Sequence, residues 1–139
     1  MVFFAPIISA FSSLAIYLLT LCPTVYVEGS GELIGATYYL GTAHPTGYPL
    51  YILLARLLAY LWGWGSPAMQ VNFATAVLAS VGVGCMVRLL IDRKMHWLTA
   101  SAGGLCFGYS NTYWSQAGIA EVYGLSISLF FLTIMWSLR

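Results

Sequence analysis

The sequence predicts an all-α integral membrane protein with four transmembrane helices and one or two interfacial helices on the non-cytoplasmic side. Three observations lead there. Of 139 residues, 60% are hydrophobic and only 6% are charged, far from the quarter-charged composition of a soluble domain. The mean hydropathy is +0.85. Apolar runs of about twenty residues, enough to cross a hydrocarbon core of about 30 Å as helices, alternate with short polar breaks.

Taken in order, residues 2–21 carry no charge and form the first predicted span. The run is longer than a signal-peptide core and has no basic residues before it, so it is expected to be retained. Pro23 ends it. Residues 22–68 are too polar and too rich in Gly and Pro to cross, and form an outer loop with juxtamembrane helices. Within it, Ser30 is placed to cap a short helix to about Leu40, with Glu32 in the favourable first turn and Gly41 as the stop.

Pro49 suits the first turn of a further helix, from Leu50 to about Trp62. Thirteen residues reach only about 20 Å, and Leu50, Leu53, Leu54, Leu57 and Leu61 share one face. Tyr60, Trp62 and Trp64 add interfacial aromatics. This helix is therefore expected to lie along the membrane. As a true span it would bury Arg56 and move Glu121 to the other side.

Gly63 to Pro67 is a break, and the remaining spans are expected at about 69–90, 97–113 and 119–138. Ala100, Gly104 and Gly108 recur every four residues, a small-residue ridge for close helix packing. Arg88, Arg93, Lys94 and Arg139 fall at one end of this arrangement, which the positive-inside rule makes cytoplasmic, together with the N-terminus. The whole chain reads as one membrane domain, 1–139.

Composition also excludes functions. A net charge of +1 supplies no basic stripe for nucleic acid. Cys22, Cys85 and Cys106 sit in apolar runs with no ligand spacing, and read as buried small side chains.

Three of the four carboxylates, Glu28, Glu32 and Glu121, fall at the non-cytoplasmic end. Glu28 and Glu32 are either solvated loop acids or functional ones. A carboxylate near an apolar interface can act as a general base on a hydroxyl. Two can instead share a divalent cation with a phosphate, the one cofactor these residues suggest. His44, extended before Pro45, is structural or a donor to phosphate or sugar. Arg56 snorkels or binds an anionic headgroup or phosphate. Glu121, at the edge of an apolar helix, is a functional candidate or an interhelical hydrogen-bonding group.

Four blocks occur in order: residues 22–33 (CPTVYVEGSGEL), residues 40–51 (LGTAHPTGYPLY), residues 69–72 (MQVN) and residues 113–123 (YWSQAGIAEVY). Together they resemble the bacterial relatives of the transmembrane protein O-mannosyltransferase family, itself similar to the GT-C glycosyltransferases. The resemblance covers nearly the whole chain, as an N-terminal portion. It implies an enzyme of a bacterial inner membrane, moving a monosaccharide such as mannose from a polyprenyl-phosphate carrier to a Ser or Thr hydroxyl of a protein. It also implies site positions. Glu28 stands where the family usually has Asp, Glu32 at the second acid of that motif, His44-Pro45 at its His-Pro, and Glu121 in its Glu-Val-Tyr block. Glu28 is then the general base, Glu32 its partner or a cation ligand, and Glu121 the third catalytic acid. His44 then binds the carrier phosphate, and Arg56, from its own place on the leucine-rich helix, is expected to join it.

Four spans are too few to enclose a lipid donor and a protein acceptor. The chain alone is thus expected to be inactive and to pack against further transmembrane helices, as part of a longer or split protein. Two other classes stay open: a transport or lipid-handling module using Glu121 and Arg56, and a non-catalytic assembly subunit.

Overall fold

The computed structural model describes residues 1–27 and 29–138. Its elements are α1 (Ala5–Leu19), α2 (Ser30–Tyr39), α3 (Pro49–Trp62), α4 (Pro67–Asp92), α5 (Trp97–Gly108), α6 (Asn111–Ala117) and α7 (Tyr123–Ser137). No strand occurs among the described residues, so the predicted all-α class holds.

The hub is α4, which packs against every other helix. Its sequence explains why. Ala74, Thr75, Ala76, Ala79, Ser80, Gly82, Val83 and Gly84 are all buried, placing small side chains around most of the helix. Neighbouring backbones can therefore approach closely on several sides. A Cβ on Gly84 would meet the carbonyl oxygen of Pro6 in α1 at 3.1 Å, and one on Gly124 would meet the backbone of Ala79 at 3.1 Å. Ser66 caps the helix by accepting from the Met69 N–H at 3.2 Å, and Pro67 follows at the first helical position.

Only α4, with 26 residues, is long and apolar enough among the described helices to cross a membrane. The expected spans at 2–21, 97–113 and 119–138 appear as shorter helices. The third is broken: α5 ends at Gly108, and Ser110 is extended (φ −60°, ψ 140°) before α6. There the Tyr17 hydroxyl donates to the Gly108 carbonyl at 2.7 Å, taking an acceptor a continuing helix would use. The fourth starts only at Tyr123, because the Gly118 carbonyl accepts from the Cys22 N–H at 3.1 Å and residues 118–122 form an irregular turn. Glu121 therefore lies in that turn and not in a helix.

Outward surfaces remain apolar. Ile7, Ile8 and Phe11 of α1, Leu53, Leu57 and Leu61 of α3, and Phe130 and Leu132 of α7 are all exposed. The leucine face of α3 points away from the bundle, while Tyr51, Ile52, Ala55 and Ala59 face inward. Contiguous apolar surface of this kind is rare on soluble monomers and normal against lipid.

Hydrogen bonds and packing sort the residues into two ends. At one, the Trp114 indole N–H donates to Thr20 Oγ1 at 2.9 Å, and Asn72 Nδ2 donates to the carbonyls of Cys22 and Thr24 at 2.8 and 3.1 Å. At the other, Ala5, Val87 and Ala100 form a small core. Arg88 pairs there with Asp92 at 2.9 Å and lies over the Phe3 ring, and Arg93 and Leu138 share its cleft.

The outer-loop helix differs from expectation in its caps. Gly29, at φ 88°, precedes it, and Ser30 is already helical and fully buried. The Ser30 hydroxyl instead closes the preceding loop, donating to the Tyr26 carbonyl at 2.6 Å and accepting from the Tyr26 N–H at 2.8 Å. The helix ends on Leu40 at φ 53°, one residue before the expected glycine stop. The small loop after it returns to α3 through Gly47 at φ 81°.

Candidate functional site at the Glu121 turn

Four chain segments meet at the first of these two ends: the start of α2, the loop 41–48, the start of α3 and the turn before α7. Glu32 sits in the first turn of α2 with its carboxylate in solvent. Its Oε1 accepts from the His44 backbone N–H at 2.6 Å, and its Oε2 lies 2.9 Å from His44 Nδ1. These bonds from the side chain and backbone of His44 hold the Glu32 carboxyl below the ordinary glutamate range. With Nδ1 donating to the carboxylate, Nε2 faces Tyr48, whose hydroxyl is 3.5 Å away.

His44 and Glu121 wall the same cavity of about 150 Å³, together with Gly29, Leu33, Tyr48 and Tyr123. Glu121 is 9% exposed and also walls a second cavity of about 470 Å³, running between Phe107, Gln116 and Ile127. The glutamate thus stands between a small polar cavity and a larger, mostly apolar one.

Behind it lies Tyr51, 2% exposed, with its hydroxyl 2.7 Å from Thr75 Oγ1 on α4. Burial pushes the Tyr51 hydroxyl above its ordinary range, the bond to Thr75 opposes this, and the nearby Glu121 charge adds to it.

The fold therefore brings together Glu32, His44 and Glu121, residues 89 positions apart at the extremes. Arg56 is not part of that cavity's wall. Its guanidinium lies 5.0 Å over the Tyr38 ring, a cation–π contact between α3 and α2. Glu28 lies outside the described residues, as does Arg139. Among the described residues no group of three His, Cys, Asp or Glu side chains could hold a metal ion.

Sequence reasoning missed Tyr48, Tyr51, Thr75 and Tyr123. Two of them stand inside the block 40–51 quoted above, in the Tyr-Pro-Leu-Tyr run. Only the fold brings them near Glu121.

At one end of an apolar helical bundle, a buried glutamate shares a cavity with a carboxylate-fixed histidine, groups of the kind that can serve as a candidate acid–base site. The chain belongs to the protein O-mannosyl-transferase TMEM260 family, a glycosyltransferase family, as its N-terminal portion. Residues 29–139 match the family described as Protein O-mannosyl-transferase TMEM260 N-terminal domain. The mouse (Mus musculus) protein O-mannosyl-transferase TMEM260 is 36% identical over 124 residues, covering 86% of this chain and 17% of that protein. Its Dictyostelium discoideum namesake is 28% identical over 116 residues, covering 80% of this chain and 14% of that protein. The efflux pump terG of Aspergillus terreus is 35% identical over 116 residues, covering 74% of this chain and 20% of that protein. The chain spans less than a fifth of the length of either O-mannosyl-transferase. No solved structure is significantly similar to the chain.

Proposed function

We propose that this chain is the donor-side portion of a multi-pass membrane glycosyltransferase. It moves a monosaccharide, mannose by the relatives' names, from a polyprenyl-phosphate carrier to a Ser or Thr hydroxyl of a protein at the non-cytoplasmic face. The observation that carries this reading is the shared cavity of His44 and Glu121, with Glu32 fixing the histidine. Family membership supplies the reaction class.

In this reading α1, α4, α5 with α6, and α7 cross the membrane, and α3 rests on it. The end bearing Arg88 and Arg93 faces the cytoplasm. Further helices of the same protein cover the apolar outer faces of α1 and α7.

Transfer requires a base for the acceptor hydroxyl and charge stabilisation for the departing phosphate. Glu28, from its place in the motif, takes the hydroxyl proton as the oxygen attacks the anomeric carbon. His44, held through Nδ1 by Glu32, turns Nε2 toward the phosphate oxygen that accumulates charge. Arg56, anchored over Tyr38, serves the anionic end of the donor from the flank of α3. Glu121 closes the site and orients the hydroxyl or sugar from below. A divalent cation, if used, would draw on Glu28 and Glu32, since the Glu32 carboxylate is about half exposed and, among the described residues, bonds only to His44.

The test is transfer of labelled mannose from a polyprenyl-phosphate donor to a Ser/Thr peptide by the purified full-length protein. Wild type transfers, and Glu28→Gln and Glu121→Gln each lower kcat by about a hundredfold or more. Normal transfer by Glu28→Gln removes its role as base, and no transfer by wild type removes the enzyme reading.

The similarity to an efflux pump favours a second reading, in which Glu121 and Arg56 serve proton or anion passage. Flux into vesicles that depends on a pH gradient, without sugar transfer, would select it.

A further inference from the structure

A third cavity, of about 460 Å³, lies on the opposite flank of α6 from the Glu121 site. Its walls include Tyr26 from the outer loop and Asn111, Trp114, Ser115 and Gln116 from α6, and none of its walls among the described residues is charged. Gln116 lines this cavity and also the larger one that reaches Glu121 and Tyr123. Through Gln116 this cavity therefore adjoins the one that reaches the candidate catalytic end.

The chemistry of the walls selects among substrates. The side-chain amides of Asn111 and Gln116 make no hydrogen bond to the described residues, and each offers a donor pair and an acceptor. That is the complement of a peptide group. Trp114 is fixed through its N–H to Thr20 at 2.9 Å and remains partly exposed, presenting a rigid aromatic of the kind that anchors interfaces. An ionised phosphate would instead call for Arg or Lys. None lines the cavity among the described residues, and Arg56 lies over Tyr38 on another flank.

We propose that this cavity receives the acceptor: an uncharged polypeptide segment whose Ser or Thr hydroxyl is passed along Gln116 toward Glu121. The assignment rests on the glycosyltransferase reading above and adds where the second substrate binds. It separates the neutral acceptor path along α6 from the anionic donor end near His44.

Two measurements on the purified full-length protein test it. One is the Kd of a fluorescent, uncharged Ser/Thr peptide; the other is KM for that peptide and for the polyprenyl-phosphate donor. The variants are Asn111→Ala with Gln116→Ala, and Ser115→Trp, which fills the cavity from an exposed position. Acceptor Kd and KM rise about tenfold or more in both, with donor KM and melting temperature unchanged. Acidic residues flanking the peptide hydroxyl weaken binding to wild type as well.

A raised donor KM with unchanged acceptor binding would assign the cavity to the donor and overturn the proposal. Unchanged constants for both substrates, in a wild type that transfers sugar, would overturn it and leave the enzyme reading intact. Peptide binding that the variants lose, in a protein that transfers nothing, would keep the binding site and discard the reaction. Neither transfer nor binding by wild type would remove both.

Discussion

The pairing of Glu32 with His44 is made in water, between side chains that are each about half exposed. An exposed pair of this kind contributes little to global stability, so its value is in fixing the imidazole. The sign of its pH dependence follows from the depressed Glu32 carboxyl. The pair is intact above the ordinary glutamate range and is lost as pH falls through the lowered folded value. Carboxylate NMR should place the Glu32 midpoint below 4.5, and His44→Ala should return it to the ordinary range. A midpoint unaffected by removing His44 would mean the two groups are not bonded in solution. At Glu121, position is set by a turn and not by helical periodicity. Sequence periodicity alone put this residue at a helix edge, because nothing local reveals that Gly118 gives its carbonyl to Cys22.

At the level of elements, Asn72 ties the start of the outer loop to α4. Asn72 is 1% exposed and donates to two loop carbonyls, of Cys22 and Thr24. Asn72→Leu leaves those carbonyls without their donor at the protein's rim. The expected cost is about 1–3 kcal/mol, with faster amide exchange across residues 22–27. Glycine and alanine let α4 and α7 approach closely. A Cβ on Gly82 would meet the Tyr113 hydroxyl at 2.7 Å and Ser128 Oγ at 2.9 Å, and one on Gly124 would meet Ala79. Gly124→Val should destabilise by about 1–3 kcal/mol through overpacking, read as a lower melting temperature in detergent. Gly35→Ala, where a Cβ would meet nothing within 4 Å, serves as the neutral control. The ridge of Ala100, Gly104 and Gly108 was legible as a four-residue repeat, and these are the buried positions of α5. Its partner was not legible, since Val83 and Val87 look like any apolar residues of a span.

Across the whole molecule, the decisive arrangement is the division into two ends. Residues 20–27, 29–30, 66–72 and 109–123 gather at one, and Arg88, Arg93 and Leu138 at the other. If the bundle crosses the membrane as proposed, single cysteines at Gly41 and Gln116 should label from the outer side and one at Met95 from the cytoplasmic side. Opposite-side labelling of 41 and 116 would separate Glu32 from Glu121 and dissolve the site.

Composition and hydropathy by themselves determined that the chain is helical and apolar-faced, because nine charges among 139 residues leave few other ways to satisfy a backbone. The ordered motif blocks carried the family. Proline and glycine punctuation gave α3 and the start of α4, and the charged residues after Leu90 gave its end, each to within two residues. Only the tertiary structure decided that two of the expected spans would shorten or break at Gly108 and Gly118, where carbonyls are taken by distant donors. It alone decided, too, that Arg56 would face Tyr38 while His44 paired with Glu32 in a cavity shared with Glu121. Those choices depend on which groups meet across the bundle, and hydrogen-bonding partners 90 residues apart leave no periodic trace in the chain.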